Sequence, residues 1–371
     1  MNYARIVFIK FKKDYNLLCI SRVKEGFMRK IKVNLIFKPG IPSARKKGGG
    51  DQTSCKMLYN ALNKRDDVEA FFNAKLKDGP FDIIHFHSLG DVFWKFVEDY
   101  SNRIIYTAHV IPETMVGSAI LADKWKPILT QYLLFFYNQA RVVIAVSPYE
   151  KKILEEIGVK TKIVYIPNGI DIEKFKLIPE IRRKMREEFN LNKNDIAILS
   201  VGHVIKRKGF DTFVKTAMAL PKYKFFWIGG IPFSILSSGY SEAKKILENP
   251  PKNLYFLGPH PHDELPKFYN MADIFFFPSR QENFSIAVLE AASCGLPLIL
   301  RNLEEYIEPF SPNYISFDNE EDAIEKVEKL CEDAKLREEY SKKSIEIAHK
   351  YDINRVAEET VKVYKEVILE E

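Results

Sequence analysis

Glu282 and Glu290 are separated by seven residues in the stretch Pro278-Ser279-Arg280-Gln281-Glu282-Asn283-Phe284-Ser285-Ile286-Ala287-Val288-Leu289-Glu290. This reads as a strand end, a loop and a helix start. Glu282 falls in the loop and Glu290 about two turns into the helix. Two carboxylates so placed can accept hydrogen bonds from different hydroxyls of one extended ligand. The plainer reading is an acid at the positive end of a helix dipole plus a surface glutamate. Against it, Glu290 stands among Ala287, Val288, Leu289, Ala291 and Ala292, and a carboxylate in apolar company needs a partner.

A second constellation is Val201-Gly202-His203-Val204-Ile205-Lys206-Arg207-Lys208-Gly209, which follows a strand and opens a helix. Three adjacent cations repel one another unless an anion joins them, and a diphosphate suits Arg207 and Lys208. A solvated charge run is the alternative. Gly48-Gly49-Gly50 precedes another helix, where backbone N–H groups and the helix dipole can meet a phosphate or a sugar hydroxyl; the alternative is a flexible turn. The run is not GxGxxG, which argues against a nicotinamide nucleotide. His85, His87 and His109 fall at strand ends in the first half, with His109 the best placed to face a ligand. His260 and His262 read as loop residues. No HExxH occurs and no carboxylate cluster lies nearby, so no metal site is expected.

These residues need strands and helices to bring them together. Ile31–Phe37, Ile83–His87, Ile104–Thr107, Val142–Val146 and Ile163–Ile166 read as buried strands, as do Ile196–Val201, Phe225–Ile228, Leu254–Leu257, Ile274–Phe277 and Pro297–Leu300. Helical patterns alternate with them: Asp51–Leu62, Pro148–Ile157, Phe210–Ala219, Phe284–Ala292, Ala323–Cys331 and Val356–Leu369. Alternation of this kind builds parallel sheets from βαβ units. The rhythm restarts near Ile196, so two doubly wound α/β domains facing across a cleft are expected, 1–176 and 177–351, with a linker near residues 172–180. Residues 1–27 read either as an extension absent from the native protein, with translation starting at Met28, or as a genuine extra segment.

The 371 residues carry 46% apolar and 13% aromatic side chains, enough for two cores. The net charge of +6 is too mild to imply nucleic-acid binding. Its distribution is uneven: residues 1–176 hold 29 basic and 18 acidic residues, and residues 177–371 hold 27 and 32. Four scattered cysteines fit a reducing cytoplasm, and no apolar run is long enough to span a bilayer. Residues 28–47 carry seven basic residues (Arg29, Lys30, Lys32, Lys38, Arg45, Lys46 and Lys47) and no acid, a pattern that suits an anionic membrane surface or nucleotide steering.

In the order GGGDQT, IIHFHS, YTAHV, AVSPYEKKIL, IPNGID, VGHVIKRKGFDTF and PSRQENFSIAVLEAASCGLPLIL, the chain from Met28 onward resembles glycosyltransferase family 4. The resemblance implies the GT-B fold, with two Rossmann-like domains and a C-terminal helix, residues 352–371, crossing back onto the first. It implies a retaining hexosyltransferase using a nucleotide-diphosphate sugar as donor, with no cofactor and no essential metal. Arg207 and Lys208 would hold the diphosphate, with His203 beside them. Glu282 would bind the donor sugar, helped by N–H groups at Phe284, Ser285 and Ile286. Glu290 would take the ribose, Gly49 and Gly50 would line the phosphate side, and His109 would face the reacting sugar. Local likeness to diacylglycerol glucosyltransferases implies UDP-glucose as donor and a membrane lipid as acceptor, on a cytoplasmic enzyme peripheral to the membrane. A soluble sugar or polysaccharide acceptor, or a non-catalytic nucleotide-sugar-binding role, are the alternatives. His203 stands where many members have arginine, EGFG becomes Glu282-Asn283-Phe284-Ser285, and Asn302-Leu303-Glu304-Glu305 replaces a glycine pair.

Overall fold

The computed structural model describes residues 29–38, 49–115, 122–231 and 240–370. The 1–27 segment, Gly48, Arg45, Lys46 and Lys47, all singled out in the sequence, lie outside the described residues.

The first sheet contains β1 (Ile31–Ile36), β2 (Val68–Phe72), β3 (Ile83–Phe86), β4 (Ile104–Ala108), β5 (Val142–Ala145) and β6 (Lys162–Tyr165), all parallel, in the order β2-β1-β3-β4-β5-β6. The second contains β7 (Ala197–Val201), β8 (Lys224–Ile228), β9 (Leu254–Gly258), β10 (Ile274–Phe277), β11 (Leu298–Arg301) and β12 (Ile315–Phe317), also parallel, in the order β12-β11-β10-β7-β8-β9. Central strands such as β3 (IIHF) and β10 (IFFF) are buried at every position, as a sheet covered on both faces requires. In such sheets a ligand binds beyond the carboxyl ends of the strands, where the strand order reverses. The reversals lie between β1 and β3 in one sheet and between β7 and β10 in the other. Each sequence constellation follows one of those four strands, apart from His85, which lies within β3, and His109, which follows β4.

The last helix, Ile353–Leu369, crosses back to the first sheet. Its apolar face (Ile353, Val356, Ala357, Val361, Tyr364 and Val367) is buried. Tyr364 reaches His85 Nδ1 on β3 at 2.7 Å, and Lys365 pairs with Asp67 at 2.9 Å. Gly169 permits this crossing, since a Cβ there would stand 2.7 Å from Ile353 Cα.

Some elements differ from the sequence reading. Val68–Phe72 and Ile315–Phe317 are edge strands, short and partly exposed, without the apolar run that marks a central strand. The charged stretch after residue 179 begins as a helix, Pro179–Glu188, anchored by Arg182 and Arg186 to Asp273 at the foot of β10. The helix expected from Phe284 starts at Ile286 and runs to Ser293, so Glu290 stands little more than one turn inside it, not two.

Candidate active site

The loop after β7 turns through Lys206–Lys208 and ends on Gly209, whose φ is +72°. A side chain at Gly209 would bring its Cβ to 2.0 Å from the Pro278 carbonyl, so glycine lets the loops after β7 and β10 touch. The loops are stitched together: Arg207 donates to the Gln281 carbonyl at 2.8 Å, and the Arg280 N–H donates to the Arg207 carbonyl at 2.7 Å.

At this seam Lys208 Nζ meets Glu282 Oε1 at 2.5 Å, and Ser279 Oγ donates to the same oxygen at 2.6 Å. Lys208 also lies over the Phe277 ring, 5.3 Å from its centre. Burial pushes the Lys208 pKa down, against the pull of Glu282. Burial pushes Glu282 up, but Lys208 and Arg207 outweigh it and hold the carboxyl below its ordinary value. A buried cation and anion thus sit side by side at the reversal point of the second sheet.

Glu290 is buried and faces two donors: His262 Nε2 at 2.6 Å from Oε1, and the Tyr269 phenol Oη at 2.7 Å from Oε2. A carboxylate has about four lone-pair sites, so two remain for ligand hydroxyls. The sequence places His262 in a loop, yet it orients this glutamate. It precedes Glu290 by 28 residues, so no local spacing could reveal the pairing. His203 is half-buried in the loop after β7. Ser285 occupies the N-cap position of helix Ile286–Ser293 without a side-chain cap bond, so the N–H groups of Ser285 and Ile286 stand at its N-terminus with that of Phe284 just before them. The Phe284 ring packs on Phe310 and Tyr351, while its carbonyl accepts from Asn168 Nδ2 at 3.1 Å.

The first sheet supplies the opposite wall. Gly49 is extended and Gly50 starts helix Gly50–Leu62; a Cβ at either would meet nothing within 4 Å among the described residues. His109 Nε2 lies 3.0 Å from His87 Nδ1, and burial lowers the pKa of both rings. His85 is not a cleft residue. It is buried between Tyr364 and Thr107, with Thr107 Oγ1 2.7 Å from its Nε2. Burial takes its pKa to about 3.

His85 carries a pH prediction. In the unfolded chain the ring takes up its proton near 6.5, so the stability this neutral histidine contributes is present above that pH. It is lost as pH falls from about 6.5 towards about 3. Denaturation of His85→Gln across this window is expected to show a shallower decline than that of the native chain. Parallel declines would refute the assignment.

The walls meet through two asparagines. Asn168, from IPNGID, accepts from Ser54 Oγ at 2.6 Å while donating to Phe284. Asn283 Nδ2 donates to the His109 carbonyl at 3.0 Å and to Glu150 Oε1 at 2.8 Å. Neither Asn283 nor Glu150 was assigned a role from sequence. The one available signal was Asn283 itself, an amide where the resemblance leads one to expect glycine.

Paired open parallel sheets with facing reversal points are the GT-B architecture of glycosyltransferases. The fold superposes on sucrose-phosphate synthase from Thermosynechococcus elongatus with a TM-score of 0.77, at 17% identity over 92% of this chain and 100% of that one. It also superposes on Anabaena Alr3699/HepE, solved in complex with UDP-glucose, with a TM-score of 0.69, at 19% identity over 90% of this chain and 100% of that one. Two family models match in succession, Glycosyltransferase Family 4 over residues 55–174 and Glycosyl transferases group 1 over residues 181–347. The chain belongs to glycosyltransferase family 4 and is a hexosyltransferase. It is 28% identical over 350 residues to alpha-galactosylglucosyldiacylglycerol synthase of Streptococcus pneumoniae, covering 93% of this chain and 91% of that protein. It is 29% identical over 217 residues to processive diacylglycerol alpha-glucosyltransferase of Acholeplasma laidlawii, covering 56% of this chain and 64% of that protein.

Proposed function

We propose that this enzyme transfers a hexose, with retention, from a nucleotide-diphosphate sugar to the hydroxyl of a membrane lipid such as diacylglycerol, with UDP-glucose the favoured donor. The observation that carries the reading is the buried Lys208–Glu282 pair at the β7/β10 reversal. Lys208 and Arg207 neutralise the diphosphate, Glu282 takes donor-sugar hydroxyls and Glu290 the ribose. The bond from the anomeric carbon to the phosphate oxygen breaks, and the acceptor oxygen bonds to that carbon on the same face. The acceptor's proton passes to the departing phosphate oxygen, so no protein base is required. The cations and the N-terminus of helix Ile286–Ser293 stabilise the leaving group where its charge grows. UDP-glucose is supported by the ligand named for HepE, and a diacylglycerol-based acceptor by the acceptor named for the Acholeplasma laidlawii relative and the glycolipid product named for the Streptococcus pneumoniae one.

A surface feature supports the membrane. Trp125, Ile128, Tyr132 and Phe135 lie on one side of helix Ala122–Tyr137 at helical spacing and are 61%, 62%, 45% and 42% exposed. Trp94, 57% exposed, packs its ring 5.5 Å from that of Phe135. Exposed Lys95 and Lys124 flank Trp94 and Trp125 in the chain, while Lys126 pairs with Glu113 at 2.8 Å. Aromatic rings flanked by lysines suit the headgroup layer of an anionic bilayer. The basic cluster near the chain start contributes less than its sequence implies, because Arg29 pairs with Asp82 and Lys32 with Glu69. Among the described residues no helix is long and apolar enough to cross a membrane.

Thermal denaturation with UDP-, GDP- and ADP-sugars tests the donor. UDP-glucose is expected to raise the melting temperature selectively, because a ligand bound only by the native form stabilises it. Equal shifts with all three, or none, would count against the assignment.

A further inference from the structure

Glu150 is wholly buried in the first turn of helix Pro148–Glu156, just past β5. Among the described residues no cation pairs with it. Its Oε2 accepts the Val146 N–H at 2.7 Å, and its Oε1 accepts from Asn283 at 2.8 Å. Burial pushes its pKa well up. An unpaired carboxyl in such a place costs stability, and an apolar side chain would fill the space without that cost.

What the carboxyl does is hold Asn283. The His109 carbonyl can only accept, so the amide sets its nitrogen towards that carbonyl and Glu150 Oε1, and a flipped amide would set oxygen against the carbonyl. Asn283 follows Glu282 directly, and Glu282 is fixed by Lys208 and Ser279. A single amide, steadied from the first sheet, therefore ties the strand-end segment bearing His109 to the loop bearing Glu282.

We infer that Glu150 is a positioning residue for hexosyl transfer: by clamping Asn283 against the His109 carbonyl, it sets the spacing of the two walls between which the donor sugar reacts. The inference rests on the proposed placement of that sugar between His109 and Glu282. A small displacement of reacting groups is costly, whereas the diphosphate site at Lys208 and the ribose site at Glu290 lie outside the clamp.

The test compares Glu150→Gln, Glu150→Ala, Asn283→Ala and the double alanine variant. Readouts are UDP affinity by calorimetry, kcat and KM for UDP-glucose with diacylglycerol vesicles, and the fraction of donor hydrolysed instead of transferred. Each alanine variant is expected to lower kcat about tenfold or more, keep UDP affinity within about twofold, and raise the hydrolysed fraction. The double variant should be no worse than the more severe single one, since both changes open the same clamp. Glu150→Gln retains one acceptor oxygen and should keep more kcat than Glu150→Ala. Should Glu150→Ala not fold, Asn283→Ala decides. Unchanged kcat in Asn283→Ala, losses that multiply in the double variant, or UDP affinity falling in step with kcat would overturn the inference. A native chain that neither binds UDP nor transfers glucose would instead overturn the functional reading beneath it.

Discussion

Lys208→Ala is expected to lower transfer by about 10²–10³-fold, the scale of losing one preorganised donor to a developing anion. It should also weaken nucleotide binding and destabilise the fold. The second effect follows from the pairing with Glu282. Removing the lysine strands a buried carboxylate, and breaking a buried pair costs about 3–5 kcal/mol. The two consequences can be separated. With Lys208→Met and Glu282→Gln combined, no charge remains to be stranded, so denaturant stability should return close to that of the native chain. Transfer should stay lost, because neither the diphosphate nor the sugar regains its partner. Glu282→Ala alone should abolish transfer yet still bind nucleotide, since Lys208 remains. Chemical denaturation beside a transfer assay reads both effects. A Lys208→Ala enzyme within tenfold of native activity would remove Lys208 from the site, and a double variant as unstable as the single one would refute the stranded-charge account.

The parts of this site legible in the sequence share one property: their meaning is local. Lys206-Arg207-Lys208-Gly209 is readable because like charges so close together require an anion, and Glu282 with Glu290 because their surroundings change from loop to apolar helix within a few residues. The central strands were readable from continuous apolar runs, which parallel sheets demand. The edge strands Val68–Phe72 and Ile315–Phe317 lack that pressure and were missed. So was every functional contact between distant segments. Nothing near His262 shows that it will meet Glu290, and nothing near Glu150 shows that it will meet Asn283. The first pairing depends on β9 and β10 sharing one sheet, and the second on the closeness of the two sheets, which the packing of helix Gly50–Leu62 against Ile353–Leu369 and Ile286–Ser293 imposes. For His85 the strand-end position leaves both a cleft and a hydrogen-bonded core place open, and the returning helix decides for the core by burying it under Tyr364.

The aromatic patch carries the other large expected effect. Replacing Trp94, Trp125, Tyr132 and Phe135 together by serine is expected to abolish sedimentation with anionic vesicles and to lower transfer to diacylglycerol by about 10²-fold or more. Burying one large apolar side chain contributes about 1.5–3 kcal/mol, and a decade of affinity requires about 1.4 kcal/mol, so four rings partly immersed exceed two decades. The rings of Trp94, Tyr132 and Phe135 pack on Phe93 and Phe136 of the first domain's core, whereas Lys208 and Glu282 stand on loops of the second sheet, so UDP affinity and slow donor hydrolysis should persist in the variant. That contrast distinguishes lost docking from lost catalysis. Salt supplies an independent check. The flanking lysines act through screened charge and the rings do not, so high salt should weaken vesicle binding by the native chain only in part. Complete release by salt would assign the contact to the lysines alone. Full vesicle binding by the serine variant would move the membrane contact off this face altogether, and equal loss of lipid transfer and donor hydrolysis would show that the rings support the fold, not the bilayer.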